Sequence, residues 1–436
     1  MVLQDDRIVI VGAGCFGIST AYHLLKRGFK NISIIERSDE LPAKDAASND
    51  INRIVRSSYS DPFYANLGRE AVHSWRNREE WGDSYHESGL VNVFSTVQQS
   101  GKSYADDSYR NDVALGARVK ELIGGDAIRS VFPESVHLGS FASRNGYINY
   151  DCGWANAGQG LSLMIQKVRD LGGEFILGKT VCNLLREEGR TVGVQCANGS
   201  TYPAAVVILS IGSWTASALP NLRLEKNCLA TGQCIATIQL TEEEAARYRG
   251  CPVLLDLTTG FYVFPPTNSH VVKVAIHKFG LTNSVAVAGE ESPVKISTPR
   301  TITSDPVRGL CIPKVALRKL RTHLREFFPD LAQKPFSGTR LCWYNDTPDG
   351  SWIIGYYPND AGLMMATGGN GHAYKFLPVI GQIVADACEG NLDPALVSKF
   401  AVDRVYNDTD GSRSGVPSEL DLEDLCTEKD LSLVDA

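Results

Sequence analysis

Hydrophobic and polar positions along the chain alternate between a strand period and a helix period, and the order of the two predicts an α/β protein. Arg7–Val11 (RIVIV) is a run of apolar, mostly β-branched residues and reads as a buried strand. Gly12 breaks it, Cys15–Arg27 follows with a helical pattern, and Gly28 stops that helix. Asn31–Ile35 returns to strand character. After a polar, alanine-rich loop over Ser38–Asn52, Pro62–Trp81 reads as helical with Leu67, Ala71 and Trp75 on one face. Ser88–Ser95 alternates as a strand, and Asp106–Ile123 reads as a helix ending at Gly124-Gly125. Gly158–Leu171 is a further helix, ending at Gly172-Gly173.

Phe175–Ser210 has the pattern of a strand meander, with a hairpin turn at Asn198-Gly199. Its last segment, Ala204–Ser210, is apolar enough for a central strand returning to the first sheet. Gln233–Leu240 and Gly260–His277 predict strands of a second, antiparallel sheet, with a short acidic helix inside Gln239–Arg249. Asn283–Pro306 shows no period and reads as a surface excursion, whereas Val315–Phe328 is an amphipathic helix. Arg340–Gly355 and Leu363–Thr367 again predict strands. A glycine loop, Gly368–Gly371, precedes a helix over Pro378–Glu389 with proline in its first turn. Beyond Asp403 the chain turns acidic and polar and reads as a peripheral tail. Both ends of the chain thus feed one interrupted sheet.

Composition narrows the classes. A length of 436 residues accommodates about two or three domains. With 43% hydrophobic and 21% charged residues the chain resembles an ordinary globular protein. A net charge of −7 without a basic stripe argues against a nucleic-acid partner. Eleven cysteines without a C-x-x-C pair predict a reducing compartment and no structural zinc, and the histidines show no metal-ligand spacing. The first six residues carry two aspartates and no apolar segment, so no cleaved signal is expected. No apolar run approaches about 18 residues, so no membrane span is expected. Val434-Asp435-Ala436 is not a peroxisomal tripeptide, and a cytoplasmic location is expected.

The first candidate site is Gly12, Gly14 and Gly17, a G-x-G-x-x-G between a strand and a helix. The spacing allows a tight turn, close approach of backbone to a pyrophosphate, and close helix–strand packing. Glu36 ends the second strand, where an acid can bind a ribose hydroxyl. This predicts an adenine dinucleotide. At this point a NAD(P)-linked dehydrogenase, a flavoenzyme and a non-catalytic dinucleotide-binding module all stay open. Lys273, Ala275 and His277 share a strand face by the period of two, and an inward lysine and histidine are costly to bury without a task.

Four stretches carry a resemblance to a known family. They are Ser48–Arg56 (SNDINRIVR), Gly260–Gly280 (GFYVFPPTNSHVVKVAIHKFG), Thr339–Pro358 (TRLCWYNDTPDGSWIIGYYP) and Thr367–Gly381 (TGGNGHAYKFLPVIG). With the opening motif, they resemble the flavin-dependent D-amino-acid-oxidase superfamily, in its monomeric sarcosine oxidase, pipecolate/saccharopine oxidase and fructosyl amino acid oxidase (amadoriase) branch. The similarity runs to about Gly390. The resemblance implies a Rossmann-like FAD-binding domain of the glutathione-reductase type, from residues 1–85, 150–215 and 335–395. An antiparallel-sheet substrate domain from 86–149 and 216–334 and a tail over 396–436 complete the expected layout.

The same resemblance implies residue roles. Cofactor contacts fall on Gly12, Gly14, Cys15, Phe16, Gly17, Glu36, Arg37, Ser48, Asn49, Arg53, Val181, Gly212, Gly369, Gly371, His372 and Lys375. Cys342 matches the cysteine that tethers FAD covalently in this branch. Lys273 matches the lysine that activates oxygen, and His277 and Tyr262 line the substrate cavity. Arg56 and Lys375 match the pair that holds the substrate carboxylate, with Tyr344 as an aromatic wall. The activity implied is oxidation of the C–N bond of an amino acid, a secondary amine above all, by a monomer that consumes oxygen and releases hydrogen peroxide. Arg53 stands where amadoriases tend to have lysine, and Arg413 is only a loose match to their C-terminal region. A dehydrogenase has no use for Cys342 or for a glycine loop near the far end of the chain.

Overall fold

In the computed structural model, residues 2–287, 293–406, 413 and 415–432 are described. Among them a six-stranded sheet runs in the order Ile353–Tyr357, Asp360–Thr367, Val206–Leu209, Arg7–Val11 (β1), Asn31–Ile35 (β2), Glu174–Ile176. All neighbours are parallel except the edge pair, Ile353–Tyr357 against Asp360–Thr367. Ile8, Val9 and Ile10 are wholly buried because both faces are covered. Helix α1 (Cys15–Lys26) packs on one face with Ala157–Asp170 and Ile380–Glu389. The meander Val181–Glu187, Arg190–Cys196 and Thr201–Pro203 covers the other. The fold is therefore α/β, with strands drawn from both ends of the sequence.

The second, ten-stranded sheet is largely antiparallel. Leu229–Gln239 lies between Val271–Ile276 and Gly338–Asp346. Helix Lys314–Phe327 packs on it through Leu317, Leu320, Leu324 and Phe327, four positions on one helical stripe. Gly338–Asp346 belongs to this sheet, while Ile353–Tyr357, a few residues on, belongs to the first. The chain around Thr347 therefore crosses between the sheets, and the glycine loop docks there: Asn370 Oδ1 accepts from the Thr347 amide at 2.8 Å.

Several expected elements differ. The helix expected over Asp106–Ile123 is Lys102–Ala114; Gly116, at φ 68°, turns the chain, and Val119–Ile123 forms a strand against Arg144–Asn149. The glycine pair opens the next helix, Gly124–Arg129, rather than ending one. Pro62–Trp81 splits, because Asn77 leaves helical geometry to cap Arg78–Trp81. Gly260–His277 is a hairpin, with its two prolines in the connection between Phe261–Val263 and Val271–Ile276. The aperiodic Asn283–Pro306 contains a hairpin of Ser284–Val287 with Val294–Ser297. The glycine loop leads first into a short tight turn, Ala373–Phe376, and the helix begins after Pro378 at Ile380. The acidic end is not peripheral. Ser418–Glu419 pairs with Leu281–Thr282, and Leu420, Leu425 and Cys426 are buried in the second core. Val434-Asp435-Ala436 lies outside the described residues.

Candidate active site

One cavity of about 400 Å³ begins at the β1–α1 turn and ends under Tyr344. Gly12, Gly14, Cys15, Phe16, Glu36, Arg37, Ser48, Arg53, Val181, Gly212, Tyr344, Gly369 and Gly371 all line it. Gly17, Asn49, Cys342, His372, Lys375, Arg56, Lys273, His277 and Tyr262 are not on its wall.

At its first end, Gly12 has φ 101°, and a Cβ there would sit 2.5 Å from the Ser210 carbonyl oxygen. A Cβ on Gly17 would sit 2.0 Å from the Gly12 carbonyl oxygen, so Gly17 serves helix–strand packing. Gly14 and Gly212 face open space: the nearest group to a Cβ on Gly14 is the Ser48 hydroxyl at 3.4 Å, and Gly212 meets nothing within 4 Å. Helix α1 has no acidic residue in its first turn, and its Cys15 amide donates to Ser48 Oγ at 2.9 Å. Glu36 is buried, accepting from the Ala13 amide at 2.9 Å and the Ser38 amide at 3.0 Å. Arg37 lies 3.7 Å over the Trp214 ring and pairs with Asp45 at 3.0 Å. Asn49 instead holds loop carbonyls, donating to Pro42 and Ala43 at 3.2 Å each.

At the other end Arg53 lines the cavity and further charged groups lie behind the wall. Asp50 accepts from the Arg53 guanidinium and, at 2.8 Å, from the Lys273 ammonium. Lys273 is fully buried, also donates to the Asn52 carbonyl at 2.7 Å, and is held down to about 8 by desolvation, which Asp50 partly offsets. The neighbouring cations Arg53, Lys273 and Arg340 outweigh burial at Asp50 and hold its carboxyl far below the usual range. Arg53 also donates to Cys342 Sγ at 3.0 Å and to the Ala47 carbonyl at 2.7 Å. Cys342 is 1% exposed and packs with Tyr262, Phe264 and Tyr344. Burial pushes the phenols of Tyr262 and Tyr344 up, keeping both neutral. His277 lies just past its strand, half-buried, with its ring 5.9 Å from that of Tyr344.

A second charged group gathers around Tyr59, which the sequence did not single out. Lys375 Nζ donates to Tyr59 Oη at 2.8 Å, and the Arg56 guanidinium lies 4.6 Å over the Tyr59 ring. Tyr59 Oη meets His372 Nδ1 at 3.2 Å, and His372 Nε2 meets the Gly350 carbonyl at 3.1 Å. A carbonyl only accepts, so Nε2 carries the proton and, in the neutral ring, Nδ1 accepts from Tyr59. Burial, then the nearby Arg56, pull the Lys375 ammonium well below its ordinary range. Two buried cations side by side suit an incoming anion. Arg413 is buried as well, pairing with Asp346 at 2.9 Å and lying 4.9 Å over Phe279. Tyr59 was overlooked because nothing in Ser57–Ser60 forms a motif; its nearness to Arg56 was the one available signal.

A glycine cradle beside a helix N-terminus, with an acid on the next strand, now continues into a buried cationic end. The family described as FAD dependent oxidoreductase matches residues 7–387. The chain belongs to that family. L-saccharopine oxidase of Schizosaccharomyces pombe is 32% identical over 409 residues, spanning 88% of this chain and 90% of the relative. Monomeric sarcosine oxidase of an Arthrobacter species is 23% identical, across 92% and 97% of the two chains. Among solved structures, fructosamine oxidase (Amadoriase II) of Aspergillus fumigatus superposes with a TM-score of 0.85 at 26% identity, covering 98% of both chains. This FAD-dependent oxidoreductase is thus an amino acid oxidase of the sarcosine, saccharopine and fructosyl amino acid branch. Among the described residues no cluster suits a metal ion, and no helix is long and apolar enough to cross a membrane.

Proposed function

We propose that the enzyme oxidises the C–N bond of an amino acid whose amine is secondary, an N-methyl or other N-alkyl amino acid, to the imine with release of hydrogen peroxide. The observation that carries this is the convergence of Arg56 and Lys375 on Tyr59 beside the charged end of the cavity. Bound FAD supplies the electron acceptor. The residues fit it: Gly14 and Gly212 leave room where a Cβ would otherwise stand, and the α1 amides and Glu36 suit its phosphates and ribose. Cys342 is the attachment point, with the Arg53 guanidinium donating to its Sγ at 3.0 Å.

Arg56 and Lys375 hold the substrate carboxylate, which fixes the amine between Tyr262, Tyr344 and His277. The neutral phenols of Tyr262 and Tyr344, with the cations Arg53 and Lys273 nearby, favour the neutral amine, the form that can give up a hydride equivalent. Lys273, as the ammonium, stabilises negative charge developing on oxygen during its reduction. Asp50 keeps that ammonium in place and prevents it from facing Arg53 uncompensated.

A second reading, a substrate with a polar or acidic N-substituent, is favoured by Arg413 and by the 32% identity to L-saccharopine oxidase. The test is peroxide release from purified yellow enzyme across sarcosine, N-methylated aromatic amino acids, pipecolate, saccharopine and a fructosyl amino acid. Peroxide formed with at least one secondary amino acid, and with none of the matching amines that lack a carboxylate, supports the proposal. A protein without a flavin absorption band, or one reducing NAD(P), contradicts it.

A further inference from the structure

The segment Arg56–Ser60 forms no helix or strand, yet Arg56, Ser57 and Ser58 are buried. Its polar groups must therefore find partners outside regular structure. Besides Asn149, Lys375 and His372, they find partners on one helix, Lys102–Ala114, which packs on the second sheet. Tyr104 Oη lies 3.2 Å from Arg56 Nη2. Asn111 Nδ2 donates to the Tyr59 carbonyl at 2.9 Å and to the Ser60 carbonyl at 3.0 Å. Asp112, wholly buried, accepts from Ser57 Oγ at 2.7 Å and Ser58 Oγ at 2.6 Å, with Tyr147 Oη at 3.4 Å. Tyr104, Asn111 and Asp112 are seven and eight residues apart, two helical turns, so they fall on one face.

We propose that this helix positions the carboxylate clamp, with Asp112 and Asn111 as positioning residues that act through Ser57, Ser58 and the Tyr59 backbone. The inference rests on Arg56 holding the substrate carboxylate. A carboxylate with no ion pair among the described residues, bonded to two serine hydroxyls, is an expensive group to keep in a core. Its use is rigidity: it holds the two residues after Arg56 so that the guanidinium and the Tyr59 ring meet Lys375 in one arrangement. Helix and clamp belong to different parts of the chain, so substrate-carboxylate affinity is set in part from a helix none of whose residues lines the cavity.

The experiment uses the flavin-loaded enzyme with methoxyacetate, and with methoxyacetamide as its uncharged counterpart, each followed by perturbation of the flavin absorption. Asp112→Asn should weaken methoxyacetate about tenfold, leave methoxyacetamide unchanged, and raise KM with kcat within about twofold. Asn111→Ala should move the same readings in the same direction by less. Equal weakening of both ligands, or wild-type affinity for methoxyacetate, overturns the inference. If Asp112→Asn does not fold, the Ser57→Ala/Ser58→Ala double variant carries the same reading and the same contrary outcome. Arg56→Met, run in parallel, separates the two levels: if it keeps wild-type methoxyacetate affinity, the carboxylate-clamp reading itself fails. If Arg56→Met loses affinity while the helix variants do not, only the positioning inference fails.

Discussion

At the Gly12 end of the cavity the buried Glu36 accepts from the Ala13 and Ser38 amides, and Arg37 pairs with Asp45. At the Arg53 end, Asp50, Arg53, Lys273, Arg56 and Lys375 are all buried or nearly so, and Asp50 alone compensates two of the cations. The first end is centred on the local unit Arg7–Glu36, to which Ser48, Val181 and Gly212 are added. The second is assembled from Asp50–Tyr59, Tyr262–His277, Cys342–Tyr344 and His372–Lys375, segments that meet only where the two sheets touch. Recognition centred on a local backbone unit suits a cofactor that stays. Charged, non-local and desolvated groups suit ligands whose charge changes during reaction.

That contrast can be broken. The largest effect expected is on flavin attachment: wild-type flavin should stay with the acid-precipitated protein, and Cys342→Ser should release all of it into the supernatant. Retention by the variant would remove Cys342 from its role. Next is Arg56→Met, which should lower kcat/KM for a carboxylate-bearing substrate about a hundredfold or more, the loss of a buried charged contact. A loss shared by substrates without a carboxylate would remove the clamp. Smaller again is Glu36→Gln, which weakens FAD retention about tenfold on dialysis of a Cys342→Ser background. Substrate KM should not move; if it does, the two ends are not independent.

The smallest effect separates the ends by protons. Burial and Arg56 depress the Lys375 ammonium in the free enzyme, so a bound carboxylate, which favours the ammonium, raises it again. Binding of methoxyacetate therefore takes up a fraction of a proton above the free-enzyme value, and affinity falls as pH rises through that window. Calorimetry in two buffers of different ionisation enthalpy measures it. Proton release on binding would contradict the assignment.

The same contrast decides what could be read before the fold was known. β1, α1 and β2 lie where the hydrophobic pattern and the glycines put them, because a βαβ unit is local. Cys342 is legible only through resemblance and Lys273 also through the strand period that turns it inward, whereas Asp50, which joins Lys273 to Arg53, is not, because its partners lie 223 residues away in one case and three in the other. The helix over Asp106–Ile123 was drawn too far because its polar, lysine-bearing end has helical propensity; pairing with Arg144–Asn149 overrides it after Gly116. Leu420, Leu425 and Cys426 sit in an acidic stretch whose composition suggests solvent, and pairing with Leu281–Thr282 and with Ile312–Pro313 gives them a place. The hairpin of Ser284–Val287 was likewise hidden, since exposed short strands carry no strong alternation.

The buried Lys273 is assigned to the oxygen chemistry and not to holding the cofactor, and Lys273→Met is the direct test. Rapid-mixing spectroscopy should follow flavin reduction by substrate and reoxidation by oxygen separately. The account predicts reoxidation slowed about a hundredfold or more, reduction within a few-fold of wild type, and a wild-type oxygen reaction that declines as pH rises through about 8, where Lys273 loses its proton. Equal slowing of both half-reactions, or an oxygen reaction indifferent to the substitution, would contradict it.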